Sequence, residues 1–376
     1  MINRPEPILM KGNEALAEGA IRAGCRFFAG YPITPQNEIP EYMARRMPEV
    51  GGVFVQAESE VAAINMVYGA AGAGVRAMTS SSSPGISLKQ EGISYLAGAE
   101  LPAVIANVVR GGPGLGGIQP AQSDYYQATR GGGHGDYRTP VLAPASVQEM
   151  YDFAGLAFDI ADRYRNPVLI LADGALGQMM EPVLLDATPR EVLNVPKPWA
   201  TTGMKDRAQN LINSIYLDPD ELEQHNLNIQ KKYRRIEQQE VRYEIILGDD
   251  ADFFLVAYGT TARVCKDVAL KARAKGMRVG LIRPITLWPF PSQVFDDLLE
   301  GKGNRQLKGS PKPFGFLTVE MSFGQMVDDV RLSVNGRAPV YFYGRTGGIV
   351  PSPREVLAEV EKIYAGGAGK PEKAGN

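Results

Sequence analysis

Two glutamates mark one joint in this chain. Glu58 and Glu60 follow a short run of Val53, Phe54 and Val55 and precede a helix-forming stretch of Ala, Met, Ile and Gly. A carboxylate there can cap the helix by accepting its unpaired N–H groups and meeting the positive end of its dipole. One residue suffices for that task, and Glu60 enters the first turn of a helix too apolar to face solvent. The residues favour a functional carboxyl at Glu60, with Glu58 as a cap or a subunit contact. Arg110 closes the apolar run 102–109 and is followed by Gly111, Gly112, Pro113 and Gly114. An arginine at the mouth of a buried strand is costly unless paired, and its fork matches a carboxylate. That carboxylate is either a ligand's or, structurally, that of Glu100 or Asp124. In the loop 31–35, Pro32 and Pro35 bracket Thr34, and four serines at 80–83 precede Pro84 and Gly85. A proline-stiffened loop at the end of a strand is where open α/β sheets bind ligands, and equally an ordinary turn. The serines can present hydroxyls and bare N–H groups to an anion or a cofactor ring, or simply make a turn. His134, between Gly133 and Gly135, reads as an acid/base group or an orienting donor.

The elements that must hold these groups alternate strand and helix. Residues 12–23 predict a helix with Leu16, Ala17, Ala20 and Ile21 as its buried stripe, ended by Gly24. Residues 25–30 then read as a strand, 37–46 as a helix, 53–55 as a strand and the stretch from 60 as a helix. After a strand at 77–79 and a serine loop at 80–85, a helix is expected over 86–96. The run 102–109 is nearly unbroken in its apolar residues, the mark of a parallel strand buried on both faces. The glycine-rich stretch 111–138 is too long for a mere connection and predicts an ordered lid or interface loop. A strand at 139–143, a helix over 146–163 capped by Ser146 and a strand at 167–173 complete a first domain, 1–190. Residues 191–249 form a linker whose charged helix, about 219–243, is of the kind that bridges domains or lies on a neighbouring subunit. A second domain, 250–365, repeats the alternation, with strands near 253–259, 279–282, 315–321 and 339–343, helices at 261–275 and 352–365, and a stiff loop at 283–291. Residues 366–376 read as a flexible tail.

Composition narrows the function. At 376 residues the chain is long enough for two domains, and 44% hydrophobic with 22% charged residues is ordinary for a globular protein. A net charge of −2 supplies no basic field, so neither nucleic acid nor a membrane surface is an expected partner. The densest basic cluster, KKYRR at 231–235, lies among Glu and Gln and reads as a solvated helix face. The two cysteines, Cys25 and Cys265, are too few for an iron–sulfur cluster or structural zinc, and a disulfide framework is not expected. No apolar run approaches the roughly 20 residues needed to span a bilayer, and the first residues lack a signal-peptide core. The chain reads as cytoplasmic. Its 42 glycines, densest between Gly111 and Gly135, suggest backbone packed close to another chain or a ligand. Neither a GxGxxG fingerprint opening a first helix nor a GxxxxGK[ST] loop is present, which disfavours a plain nucleotide-binding protein.

Seven short motifs give the chain a resemblance over nearly its whole length: KGNEA at 11–15, GYPITP at 30–35, ESE at 58–60, SPG at 83–85, ELPAVIANVVRGGPG at 100–114, GGGHGD at 131–136 and RPITLWPFP at 283–291. In this order they resemble the alpha subunit of the 2-oxoacid:ferredoxin oxidoreductases, and in particular the branched-chain (2-oxoisovalerate, or 3-methyl-2-oxobutanoate) type. Relatives acting on 2-oxoglutarate tend to read GPSTG where this chain has Gly112, Pro113, Gly114, Leu115 and Gly116. The resemblance implies an α/β fold of two open, mostly parallel sheets: a thiamine diphosphate pyrimidine-binding domain and a transketolase C-terminal-like domain. It implies oxidative decarboxylation of a 2-oxo acid to an acyl-coenzyme A, with electrons passed to ferredoxin. Glu60 is then the carboxyl that hydrogen-bonds the pyrimidine ring nitrogen, stabilising the tautomer that removes the thiazolium proton. Thr34 and Arg110 match the positions that receive the substrate carboxylate. Tyr31, Pro32 and Ser83 join Glu60 as cofactor contacts, and His134 and Asp136 are further candidates. The chain lacks the Asp-rich magnesium motif of a self-sufficient enzyme of this kind. A beta subunit is therefore expected to hold the diphosphate and magnesium, and iron–sulfur (ferredoxin-like) and gamma subunits to complete the complex. Three alternatives remain on the sequence: the same chemistry on 2-oxoglutarate or pyruvate, a non-redox transketolase-like enzyme, and a non-catalytic assembly subunit.

Overall fold

The computed structural model describes residues 6–185, 191–301 and 311–366. The chain begins as Ile8–Lys11 (β1), Gly12–Arg22 (α1), Phe27–Gly30 (β2), Glu38–Arg46 (α2), Val53–Gln56 (β3), Glu60–Gly72 (α3), Ala77–Ser81 (β4), Ser83–Gly98 (α4) and Ala103–Val109 (β5). There follow Tyr125–Thr129 (α5), Val141–Leu142 (β6), Val147–Tyr164 (α6), Pro167–Asp173 (β7), Gly174–Gln178 (α7), Met180–Val183 (β8) and Pro219–Gln239 (α8). The last part is Tyr243–Ile246 (β9), Phe253–Val256 (β10), Gly259–Ala274 (α9), Val279–Pro284 (β11), Thr286–Trp288 (β12), Ser292–Glu300 (α10), Gly315–Glu320 (β13), Met326–Val334 (α11), Val340–Gly344 (β14) and Pro353–Ala365 (α12). Among the described residues no helix is long and apolar enough to cross a membrane.

A seven-stranded sheet has the order β12-β6-β7-β5-β4-β2-β3, and a five-stranded sheet the order β14-β13-β10-β11-β9. In the first sheet every pairing is parallel except that of β12 with β6, and in the second every one except that of β9 with β11. Every residue of β5 and β7 is buried, as strands covered by helices on both faces must be. From β2 the chain steps outward to β3, then returns to place β4 on the other side of β2. Strand order therefore reverses between β2 and β4. The loops leaving the carboxyl ends of those two strands diverge there and open the crevice in which sheets of this kind bind ligands.

Several expectations from the sequence are corrected. The serines are not a loop: Ser80 and Ser81 end β4, and Ser83 already belongs to α4. The segment 283–291 is not only a loop, since Thr286–Trp288 is a strand that joins the first sheet beside β6. The basic cluster at 231–235 is not wholly solvated. Ile229, Lys232, Tyr233 and Ile236 form the buried stripe of α8, and the Lys232 ammonium reaches Glu100 at 3.1 Å. That helix thus lies on its own chain and ends at Gln239, followed by β9. The stretch 111–138 is ordered and holds α5, whose Tyr125 hydroxyl donates to Asp329 at 2.5 Å. Two strands had no local signature: β1 and β8 pair antiparallel across most of the first domain's sequence. Except for Gly366, the expected tail lies outside the described residues, as does the stretch 186–190 at the expected first boundary.

Candidate active site

Glu60 opens α3, but it does not cap it, and neither does Glu58. Ser59 has the extended backbone of an N-cap, and its hydroxyl accepts from the Ala62 N–H at 3.2 Å. Glu58 is exposed, whereas Glu60 is buried at 6% exposure. Capping is complete without Glu60, so its carboxylate is held in the interior for another reason. The first turn of α4 crosses directly over it. A methyl group built on Gly85 would lie 2.5 Å from Glu60 Oε1 and 2.0 Å from Ser81 Oγ. Only a residue without a side chain lets the α4 backbone come this close. One turn further along α4, the buried Lys89 donates to the Glu60 carbonyl at 3.3 Å and to Thr79 Oγ1 at 3.1 Å. Burial pushes its pKa down to about 8, against a smaller upward pull from the Glu60 charge.

Arg110 stands at the carboxyl end of β5, with 8% exposure. Neither carboxylate considered for it is its partner: Glu100 holds Lys232, and Asp124 accepts from Asn107 at 2.9 Å. The guanidinium instead donates to the carbonyls of Thr34 at 3.0 Å and Leu115 at 3.1 Å, and its Nε is buried without a partner. Among the described residues the guanidinium is held by neutral groups alone, which leaves it able to receive an anion. Ser83 fastens this arginine from behind. Its hydroxyl accepts from the Arg110 N–H at 3.0 Å and lies 3.2 Å from the Arg110 carbonyl.

The loop after β2 completes the crevice. Gln36, fully buried, donates to the Tyr31 carbonyl at 3.2 Å and accepts from Ser80 at 2.5 Å, tying that loop to the end of β4. Thr34 is partly buried, and its hydroxyl accepts from Asn37 at 3.4 Å. With Asn37, Gln119 and Gln178 it lines a cavity of about 530 Å³. Tyr31 and Pro32 sit exposed at the tip of the loop.

His134 and Asp136 are not brought to this crevice. The glycine run containing them packs on the far part of α4: a methyl on Gly132 would lie 2.7 Å from Gln90, and Ser94 donates to the His134 carbonyl at 2.7 Å. Ser94 is nine residues beyond Gly85, roughly 13 Å along a helix. Both side chains are exposed, and the His134 ring stacks edge-on against Tyr95. Gly133 meets the Gln90 carbonyl, where a methyl would lie 2.7 Å away, Gly132 meets the Gln90 side chain, and Gly135 takes a left-handed φ of +85°.

Residues 18–245 match the thiamine diphosphate-binding domain of pyruvate flavodoxin/ferredoxin oxidoreductase, and 251–356 match core domain II of pyruvate:ferredoxin oxidoreductase. The chain belongs to the 2-oxoacid:ferredoxin oxidoreductases, as an alpha-type subunit. The ketoisovalerate oxidoreductase subunit VorB of Methanothermobacter thermautotrophicus is 53% identical over 94% of this chain and 97% of its own. The 2-oxoglutarate synthase subunit KorA of the same organism is 37% identical over 95% of this chain and 99% of its own. Among solved structures, a 2-oxoglutarate:ferredoxin oxidoreductase from Magnetococcus marinus superposes with a TM-score of 0.84 at 26% identity. That match covers 95% of this chain but 65% of the other.

The residues of this oxidoreductase subunit fit a thiamine ring. The ends of β4 and β5 carry four buried polar atoms without a partner, Ser81 Oγ, Ser82 Oγ, Asn107 Oδ1 and Arg110 Nε. Buried polar atoms are normally paired, and these four are placed to pair with a group from outside the chain. The cradle between Gly85 and Glu60 is the second element of the fit. Sequence reading overlooked Gln36 and Lys89. Lys89 left a signal: with Ile86, Gln90 and Ile93 it occupies the i, i+3, i+4, i+7 stripe that α4 turns inward. Gln36 left none, because its role depends on the pairing of distant strands.

Proposed function

We propose that this chain is the alpha subunit of a thiamine diphosphate-dependent enzyme that oxidatively decarboxylates branched-chain 2-oxo acids to acyl-coenzyme A, with electrons passing to ferredoxin. The observation that carries the reading is Glu60, a buried carboxylate that caps nothing, set under a glycine cradle beside unpartnered hydroxyls. When bound, thiamine diphosphate supplies an electron sink for cleaving the bond between a 2-oxo carbon and its carboxyl group. Glu60 would hydrogen-bond the pyrimidine ring nitrogen, and Gly85 leaves room for the carboxylate that does so. Arg110, fixed in direction by Thr34 and Leu115, receives the substrate carboxylate through its unsatisfied edge, with Thr34 beside it. Tyr31 and Pro32 flank the cofactor from the loop tip, and Ser83 acts chiefly by anchoring Arg110.

The partner assignments follow from what this chain can supply. Its two cysteines, Cys25 and Cys265, are both buried and free, so iron–sulfur clusters take their ligands from ferredoxin-like partner subunits. A beta subunit holds magnesium and the diphosphate, and gamma and ferredoxin-like subunits complete a cytoplasmic assembly. The branched-chain substrate is supported by the 53% identity to a ketoisovalerate oxidoreductase subunit against 37% to a 2-oxoglutarate synthase subunit. A panel of 2-oxoisovalerate, 2-oxoglutarate, pyruvate and an aryl pyruvate, tested on the co-expressed complex with coenzyme A and viologen, decides this point. The highest kcat/KM should fall on 2-oxoisovalerate, and a preference for 2-oxoglutarate would overturn the side-chain assignment.

A further inference from the structure

Lys89 is a buried titratable group that the reading above does not use. Its side chain is fully buried, one helical turn past the Gly85 cradle, and no carboxylate lies within ion-pair distance of it among the described residues. Its partners are neutral, the Glu60 carbonyl and the Thr79 hydroxyl. A lysine placed like this is costly, because its ammonium is desolvated without a paired counter-charge. An apolar residue of similar length fits the same stripe of α4 without that cost. Of the elements packed around it, α3 contributes Glu60, the carboxylate whose charge acts on it, and β4 contributes Thr79. The loop 131–138 contributes Tyr137, which donates to the neighbouring Gln90 at 3.2 Å.

We propose that Lys89 is a positioning residue for Glu60: it pins the first turn of α3 through the Glu60 carbonyl and sets a positive charge close enough to act on the Glu60 carboxylate without forming an ion pair with it. The inference rests on the assignment of Glu60 to the cofactor. A charge held here makes the site sensitive to alkaline pH, because burial brings Lys89 down to about 8 and its proton leaves in that range. Loss of that proton removes the positive charge acting on the carboxylate while the hydrogen bond to the Glu60 carbonyl can persist through the neutral amine.

The test uses the assembled complex with bound thiamine diphosphate. Exchange of the cofactor's C2 proton with deuterated solvent is read after acid quench as a function of pH, with cofactor affinity and thermal melting measured alongside. Wild type should show exchange falling on an alkaline limb near pH 8. In Lys89→Met the limb should vanish and exchange at pH 7 should drop by roughly tenfold, the weight of one neighbouring charge. The melting temperature distinguishes a merely structural lysine. A lysine whose folded pKa is lowered opposes folding below about pH 8, and this opposition disappears as pH rises toward 10.5. Lys89→Met should therefore melt no lower than wild type at pH 7, and a lower melting temperature with an unmoved limb overturns the proposal. If the Met variant fails to assemble, Lys89→Arg decides in the same assay: its charge does not titrate, so a limb that persists near pH 8 overturns the proposal and its loss supports it. Glu60→Gln separates the two readings. Exchange at the wild-type rate in that variant rejects the assignment of Glu60 itself, whereas its loss together with an unchanged limb in Lys89→Met rejects only the role of Lys89.

Discussion

Gly85→Ala is the most demanding test of the site, because local and tertiary physics pull in opposite directions. Gly85 lies in the first turn of α4 with ordinary helical backbone, so on propensity alone alanine should stabilise the helix by about 1 kcal/mol. The added methyl, however, would lie 2.0 Å from Ser81 Oγ and 2.5 Å from Glu60 Oε1. Ordinary contact needs about 3.4 Å or more, so the carboxylate must retreat by about 1 Å, and overpacking of this kind costs about 1–3 kcal/mol. The two terms leave a net destabilisation of about 0–2 kcal/mol, so a melting temperature lowered by no more than a few degrees is expected. The effect on function is larger, because a displacement of about 1 Å in a group that positions a reacting ring lowers rates by roughly 100-fold. The assay is viologen reduction by the co-expressed complex with 2-oxoisovalerate and coenzyme A, next to a titration with thiamine diphosphate and a melt. A variant that assembles, melts normally and turns over within twofold of wild type would refute the placement of the cofactor ring against the Glu60 carboxylate.

Arg110→Lys should raise KM for the 2-oxo acid by about 10–100-fold with a smaller change in thiamine diphosphate affinity, because an ammonium cannot span both carbonyls and still present a fork; steady-state kinetics that leave KM unchanged would remove it from substrate binding. Glu100→Ala should destabilise the protein by about 2 kcal/mol, since it leaves the buried Lys232 ammonium unmatched, while Lys232→Met should cost less than 1 kcal/mol; denaturant melts compare them. Burial holds the pKa of Lys232 below the usual lysine value of 10.5, so the folded state gives up this proton first. Its contribution to stability therefore rises as pH climbs toward 10.5, and the wild-type melt should show a steeper alkaline gain than Lys232→Met.

The parts of this molecule that were legible beforehand are those governed by neighbours in the chain. The run Ala103–Val109 reads as a doubly buried strand because every residue in it is apolar or small apart from Asn107, and the structure buries each one. Ser146 was readable as the cap of α6, and it accepts from Glu149 N–H at 3.1 Å. Capping was misassigned at α3, where two carboxylates flank the serine that performs it, because the choice depends on which side chain the fold turns inward. The serine run was misread for a related reason. Serines favour turns in isolation, and only pairing of β4 with β5 draws Ser80 and Ser81 into a strand.

What the sequence by itself determined was the alternation of strand and helix, the oddity of a carboxyl at the head of an apolar helix, and an arginine at the mouth of a buried strand, since all three are set by residue type and local spacing. Only the tertiary structure decided that Arg110 answers to the backbone carbonyls of Thr34 and Leu115 rather than to Glu100 or Asp124. It alone set His134 on the far part of α4 and Asp136 against Gln230 of α8, and closed Gly85 over Glu60 with Lys89 one turn further on. These relations join residues from separate elements: Arg110 follows β5, Glu60 opens α3, and Gly85 and Lys89 lie on α4. A local pattern fixes which face of an element is buried, but not which distant element is packed against it.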